Sequence, residues 1–117
     1  ALGGRAAFVR EQYPAVEIYD STADRWDAGV PLPTGRGGLA AAAAGGRIFV
    51  FGGEAPLKIF SATEMFEPAS QRWIAKDPMR TPRHGIGAVV VGRRIWIPGG
   101  GTQPGYAPTS ANEAFTP

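Results

Sequence analysis

Apolar residues occur along the chain in short runs, and each run ends at a glycine, a proline or a polar cluster. The clearest runs cover residues 38–44, 47–51, 85–91 and 94–97. The second and fourth are rich in β-branched and aromatic residues, which suit a half-buried pleated surface. Two residues containing glycine separate the members of each pair, at positions 45–46 and 92–93, which predicts tight hairpins. The pattern therefore predicts short antiparallel strands rather than long helices.

A second level of order is an internal repeat with an offset of 47 residues. Its matched positions are an acidic–aromatic motif, a tryptophan, an arginine and several glycines. They pair Glu17-Ile18-Tyr19-Asp20 with Glu64-Met65-Phe66-Glu67, Trp26 with Trp73, Arg36 with Arg83, Gly38 with Gly85, Gly45 with Gly92, and Gly52-Gly53 with Gly99-Gly100. Gly3-Gly4 and the final five residues, 113–117, resemble further partial copies. A repeat of this length predicts one supersecondary unit per copy.

Each unit is predicted to contain four strands. The first two are the paired runs described above, the third lies around residues 64–66, and the fourth covers residues 71–75. One segment allows a competing interpretation, because residues 40–44 are five alanines and alanine has the highest helix propensity. Its repeat partner contains Val89, Val90 and Val91, whose branched side chains disfavour a helix. We therefore expect a strand in both copies.

The order of these features resembles the kelch motif. A glycine pair is followed by a long loop, Glu-x-aromatic-acidic, a short turn, Arg-Trp, then Pro-Arg-x-Gly and a strand of small residues, over nearly the whole chain. The resemblance implies an all-β kelch β-propeller fragment of roughly two and a half four-stranded antiparallel blades. Residues 1–28 would be the outer part of one blade, residues 34–75 one complete blade, and residues 82–117 three strands of the next.

Two positions depart from the motif. Gly35 stands where Pro82 occupies the second copy, and Pro98 replaces Phe51 before the glycine pair. Proline removes a ladder donor, so we expect the strand at Pro98 to end one residue early.

A propeller needs further blades, and an open fan would expose strand edges. We expect these blades to come from a longer chain or from other copies. Since the sequence begins with Ala1, a removed leader and an excised fragment both stay open.

The large aromatic residues of the repeat are expected to be structural. Trp26 and Trp73 are large enough to fill the space between adjacent blades, so we predict that both are core residues. Tyr19, Phe66 and Phe115 hold equivalent places and receive the same interpretation. The first strand of a kelch blade lines the central channel, as the resemblance implies, and its small side chains fit the narrow space there.

Candidate binding residues lie at the loops of one propeller face. These loops cover residues 5–13, 54–58, 102–109, 34–37 and 81–84, and they vary while the scaffold repeats. The predicted partner-binding residues are Arg36, Arg83, His84, Gln103, Tyr106 and Tyr13. For the two arginines a structural role, bonding loop carbonyls, competes with presentation to an acidic ligand. For His84 the alternatives are hydrogen bonding at the surface and contact with a ligand. For both tyrosines they are partner binding and packing against their own loop.

The composition of the chain limits which partners, metal sites and cross-links are possible. The net charge is +2 and the basic residues are scattered, which argues against a nucleic-acid partner. The apolar runs are too short to cross a membrane as a helix. The sequence contains no cysteine and a single histidine, so neither a disulfide nor a two-histidine metal site forms within it. No cofactor and no catalytic residue is predicted, and the missing cysteines do not fix the compartment.

Two functions remain open. The first is an interaction module whose loops bind a protein or carbohydrate ligand. The second is part of a carbohydrate-active enzyme, because some similar propellers are copper-radical oxidases like galactose oxidase or sialic-acid epimerases. The copper enzymes need a Cys–Tyr cross-link and two histidine ligands, which this sequence lacks. Further blades could supply them.

Overall fold

The computed structural model describes residues 1–6 and 11–117, and these residues form strands and turns but no helix. The strands are β1 (Arg5–Ala6), β2 (Glu11–Gln12), β3 (Glu17–Asp20), β4 (Arg25–Ala28), β5 (Ala40–Ala44), β6 (Arg47–Phe51), β7 (Glu54–Ala55), β8 (Lys58–Ile59), β9 (Thr63–Glu67), β10 (Arg72–Lys76), β11 (Val89–Val91), β12 (Arg94–Pro98) and β13 (Asn112–Phe115). All their pairings are antiparallel. The predicted all-β fold is confirmed. Within the described residues, no helix is long and apolar enough to cross a membrane.

The complete unit of the fold is a four-stranded sheet in the order β10-β9-β6-β5, here called the second blade. The alanine run is its strand β5, in which Ala40 pairs with Phe51 and Ala44 pairs with Arg47. Gly45 and Gly46 both have positive φ, as a two-residue hairpin turn of type I′ requires. The strand interpretation of the alanine run is therefore confirmed, because pairing with β6 overrides the intrinsic helix propensity.

Two partial sheets flank this blade. The first blade contributes the pair β3-β4, and the third contributes β11-β12-β13. The second and third blades share one register: Ile48 lies opposite Phe66, and Ile95 lies opposite Phe115. The first strands and the hairpins keep the offset of 47 residues, whereas the third strands are 49 residues apart because the preceding loop is longer. The assignment of residues 1–28, 34–75 and 82–117 to three blades stays a prediction.

Pro98 does not shorten its own strand as the sequence led us to expect. It pairs with Asn112 at the end of β12. The amide of Gly99 donates to Ala111, and because amides alternate along a strand, the nitrogen of Pro98 faces the other neighbour, β11. The lost donor therefore shortens β11. This strand starts at Val89, whereas its counterpart β5 starts at Ala40, two repeat positions earlier.

The core lies between the second and third blades. Its buried members are Phe49, Phe51, Met65, Met79, Ile95 and Ile97, with Phe115 packed against them. The ring centre of Phe115 lies 5.6 Å from those of both Phe49 and Phe51. The face of one sheet therefore packs on the face of the next through apolar side chains.

The tryptophans are less buried than the sequence predicted. Trp26 is 59% exposed, so the expectation of a core residue is wrong for it, and Tyr19 is exposed as well. Among the described strands, β3 and β4 make extensive contact only with each other. Trp73 is half-buried, and its ring packs in a tilted arrangement against Phe66 with the ring centres 5.2 Å apart, as Trp26 packs against Tyr19. The indole of Trp73 also donates to the Val30 carbonyl at 3.0 Å, which connects the second blade to the segment before it.

The long loops contain structure that the sequence pattern did not predict. The short pairs β1-β2 and β7-β8 form small ladders just after the glycine pairs of the first and second blades. Backbone bridges join Gly37 to Glu54 and His84 to Gly101. These bridges hold the loops that follow the second strands beside the loops that enter the first strands. The resulting surface, residues 5–6, 11–13, 34–37, 54–59, 81–84 and 101–109, is called the loop face below.

Candidate functional site

Arg36 and Arg83 lie in the interior beneath the loop face, and both are 0% exposed. Arg36 donates to the Thr34 and Gly52 carbonyls and to the Glu64 carboxylate at 2.8 Å. Each arginine thus fastens a loop carbonyl, the carbonyl of the first glycine in the pair, and a carboxylate on the third strand. Both guanidinium groups are enclosed by protein rather than solvent, and Nη2 of Arg36 is buried without a hydrogen-bond partner.

Arg83 makes the matching set of contacts one repeat later. Its donors reach the carbonyls of Thr81, Gly99, Ile97 and Ala111, and the Glu113 carboxylate at 3.1 Å. Burial would raise the pKa of Glu113, but the amides of Arg80 and Thr81 and the Arg83 guanidinium outweigh it and lower that pKa. The carboxylate is therefore held ionised by its donors.

Glu54 is a buried carboxylate of the loop face. It is 1% exposed, follows the glycine pair of the second blade, and accepts from the Arg5 guanidinium of the first blade. The same carboxylate oxygen lies 3.2 Å from Nδ1 of His84. Its other oxygen accepts a long bond, 3.4 Å, from the amide of Gly105. One side chain thus connects loops of three successive blades.

His84 fastens the loop of residues 101–109. Its ring Nε2 lies 2.8 Å from the Gln103 carbonyl, while its backbone pairs with Gly101. Within the loop, the amide of Thr102 donates to Ala107 and the amide of Thr109 donates to Gly100. The loop is therefore anchored at its base, at its middle and, through Gly105, at its tip.

An open cleft of about 330 Å³ lies beside this loop. Glycines form much of its lining, and the remaining lining residues are His84, Tyr106 and Pro108. Tyr106 is 79% exposed. Two of the six predicted binding residues, His84 and Tyr106, thus line one cleft, and the backbone carbonyl of a third, Gln103, lies 2.8 Å from Nε2 of His84.

Tyr13 lies apart, on the loop of the first blade that follows β2. It is 41% exposed and donates through its hydroxyl to the Glu11 carboxylate at 2.8 Å. This hydrogen bond, together with the nearby negative charge, raises the pKa of Tyr13. Residues 7–10 of the same predicted loop lie outside the described residues.

Sequence reasoning included residues 54–58 among the loops but did not single out Glu54 or Leu57. A signal existed. The residue after the glycine pair is Arg5, Glu54 and Gly101 in the three copies, so the sequence varies where the scaffold repeats. Among the described residues, no three or more histidine, aspartate or glutamate side chains are grouped so that they could hold a metal ion.

These observations define an antiparallel repeat protein with four strands per complete unit and two equivalent buried arginines. Residues 35–80, which include the second blade, match the family model of the kelch motif. Residues 35–80 therefore carry a kelch motif, which confirms the resemblance seen in the sequence over that part of the chain. No curated protein matches the chain.

Proposed function

We propose that the chain is a protein-interaction module that binds its partner through the loop face. Kelch repeats generally mediate protein interactions, and residues 35–80 form such a repeat. The proposed contact residues are Tyr106, Gln103 and the edge of His84, with Tyr13 on the neighbouring loop. Arg36 and Arg83 support this surface from below, because their donors fasten the loop carbonyls.

One observation carries the proposal: an aromatic side chain that is 79% exposed stands on a loop fastened at several points. Tyrosine offers a large rigid contact area at a small cost in rotamer entropy, which is why it is common among binding anchors. A loop that is already ordered loses little further freedom on binding. Tyr106 on the loop of residues 101–109 meets both conditions.

The test is a quantitative capture experiment with the immobilised protein and three variants. Tyr106→Ala should lower the amount of each specifically captured protein by more than about tenfold, because truncating an aromatic anchor costs on the order of 2 kcal/mol. Tyr106→Phe should retain most of the capture, since the ring remains. Ile74→Ala, which truncates an exposed side chain on the outer strand β10, is the matched control.

Equal capture by the wild-type protein and Tyr106→Ala would contradict the proposal. Loss of capture by Ile74→Ala to the same degree would also contradict it, because the effect would then not belong to the loop face. Circular dichroism of each variant establishes that the fold is retained.

A further inference from the structure

Leu57 and Tyr106 are the two most exposed large hydrophobic side chains of the described residues, at 95% and 79%. Both stand on the loop that follows a glycine pair, Leu57 in the second blade and Tyr106 in the third. The other exposed apolar side chains of this size are at most 59% exposed, and apart from Tyr13 they lie on strands. The two extremes therefore occur at equivalent loops of adjacent blades.

The backbone at Leu57 is strained. Leu57 follows Pro56 in the two-residue turn between β7 and β8 and has φ of +60°, a conformation that costs a residue with a Cβ roughly 1–2 kcal/mol. Glycine is the usual residue at such a turn position. Burial does not offset this cost, because the leucine side chain is exposed. A strained residue that contributes no internal packing is a reason to look for a contact outside the molecule.

The two loops touch one another. The amide of Gly105, the residue before Tyr106, lies 3.4 Å from the Glu54 carboxylate, and Glu54 is three residues before Leu57. A single extended segment of a partner can therefore reach both apolar side chains without leaving the loop face.

The exposed charge beside these side chains is positive. The Arg5 side chain is 42% exposed and Lys58 is exposed, whereas the Glu54 side chain is only 2% exposed. The ammonium of Lys58 lies 4.8 Å from the centre of the Phe60 ring. The exposed carboxylate of Glu11, on the loop of the first blade, accepts from Tyr13. Arg5 is already paired with Glu54, so a carboxylate of a partner would be attracted mainly to Lys58, the sequence neighbour of Leu57.

We propose that Leu57 and Tyr106 are the two anchors of a docking surface for an extended protein segment with two apolar side chains and an acidic residue. This inference rests on the proposed function and names the chemistry of the partner. The cleft favours a peptide over a sugar because both ring nitrogens of His84 already face Glu54 and Gln103. Apart from Tyr106 its other lining residues are glycine and proline, so few side-chain groups remain for the hydroxyls of a sugar.

The test uses a library of random twelve-residue peptides displayed on phage and selected on the immobilised protein. Enriched peptides should carry two apolar residues and at least one aspartate or glutamate. Their affinity should fall more than about fivefold in Leu57→Gly and in Tyr106→Ala, and in Lys58→Glu through charge reversal. Leu57→Gly is the most informative variant, because glycine relieves the strained φ and the fold should be at least as stable.

The outcomes separate the two proposals. Loss of affinity in Tyr106→Ala but not in Leu57→Gly would overturn the two-anchor surface and leave the proposed function standing. Unchanged affinity in both would overturn both. Enrichment of lysine-rich or arginine-rich peptides, no enrichment at all, or preferential binding of an oligosaccharide array would also overturn the inference. Ile74→Ala serves again as the matched control away from the loop face.

Discussion

The Arg83 guanidinium donates to the Glu113 carboxylate at 3.1 Å across the third blade, from the entry of its first strand to its third strand. Arg36 and Glu64 stand in the same relation in the second blade, at 2.8 Å. Both arginines are fully buried, so their positive charges depend on these partners. The repeated ion pair is therefore part of the scaffold that positions the loop face.

Arg36→Ala should destabilise the protein by about 3–5 kcal/mol, because it leaves the Glu64 carboxylate buried without its partner. Arg36→Lys should cost less but still be destabilising, since one ammonium cannot replace the donors that reach two carbonyls and a carboxylate. The measurement is urea unfolding. Arg25→Ala removes an exposed ion pair with Asp27 and should change stability by less than about 1 kcal/mol. An equal effect of both alanine variants would contradict this account.

Stability should fall in acid through Glu113. Its pKa is lowered in the folded protein, so its contribution is fully present above the ordinary glutamate value of about 4.3. That contribution is lost as the pH falls through the lowered folded-state pKa, where the folded carboxylate finally binds a proton. The melting temperature of Glu113→Gln should be below that of the wild-type protein at neutral pH, and the difference should shrink in acid. A difference independent of pH would be evidence against this linkage.

Gly52→Ala should destabilise the protein by about 2–4 kcal/mol, from a left-handed φ of +55° and from overlap with its surroundings. The added Cβ would collide with the Arg83 carbonyl oxygen and lie 2.9 Å from Cδ1 of Ile86. Gly87→Ala is the matched control, because its φ lies outside the left-handed region and a Cβ there meets no atom within 4 Å. It should be neutral or stabilising by roughly 0.4–1 kcal/mol. The measurement is thermal unfolding of both variants, and equal stability of the two would contradict this prediction.

Glu54→Gln should loosen the loop of residues 101–109 without unfolding the protein. The amide keeps the shape of the side chain but removes the charge that faces Arg5 and His84. Amide hydrogen exchange at Gly105 should become faster, while exchange in the strands β6 and β9 should not change. Glu67→Gln, at an exposed pair with Arg47, is the control and should leave Gly105 unaffected. Unchanged exchange at Gly105 in Glu54→Gln would show that the carboxylate does not hold the loop.

The fold was accessible from the sequence because two copies had to adopt one structure. The helix propensity of residues 40–44 conflicted with the branched residues 89–91, and only the strand satisfied both. The effect of Pro98 was predicted on the wrong strand. A sequence shows that a donor is missing, but which neighbour loses the bond depends on the register of the sheet. The exposure of Trp26 likewise depends on what packs against its blade, which its own motif does not encode.

The site was predicted in part. The sequence places His84, Gln103 and Tyr106 in loops; His84 and Tyr106 line one cleft, and the Gln103 carbonyl contacts the His84 ring. Arg36 and Arg83 were recognised as repeated, but their burial follows from the carbonyls that the fold turns toward them. Glu54 was missed because its partners, Arg5 and His84, are 49 and 30 residues away along the chain. No local motif connects residues so far apart.

The indole of Trp73 holds the carbonyl of Val30, in the connector that brings the chain from the first blade to strand β5. The donor Trp73 and the acceptor Val30 therefore lie within one stretch of chain that is shorter than the 47-residue period. A duplication or deletion of one whole period would include both the donor and the acceptor of this hydrogen bond. The protein can thus gain or lose a whole blade without having to evolve a new contact between neighbouring blades.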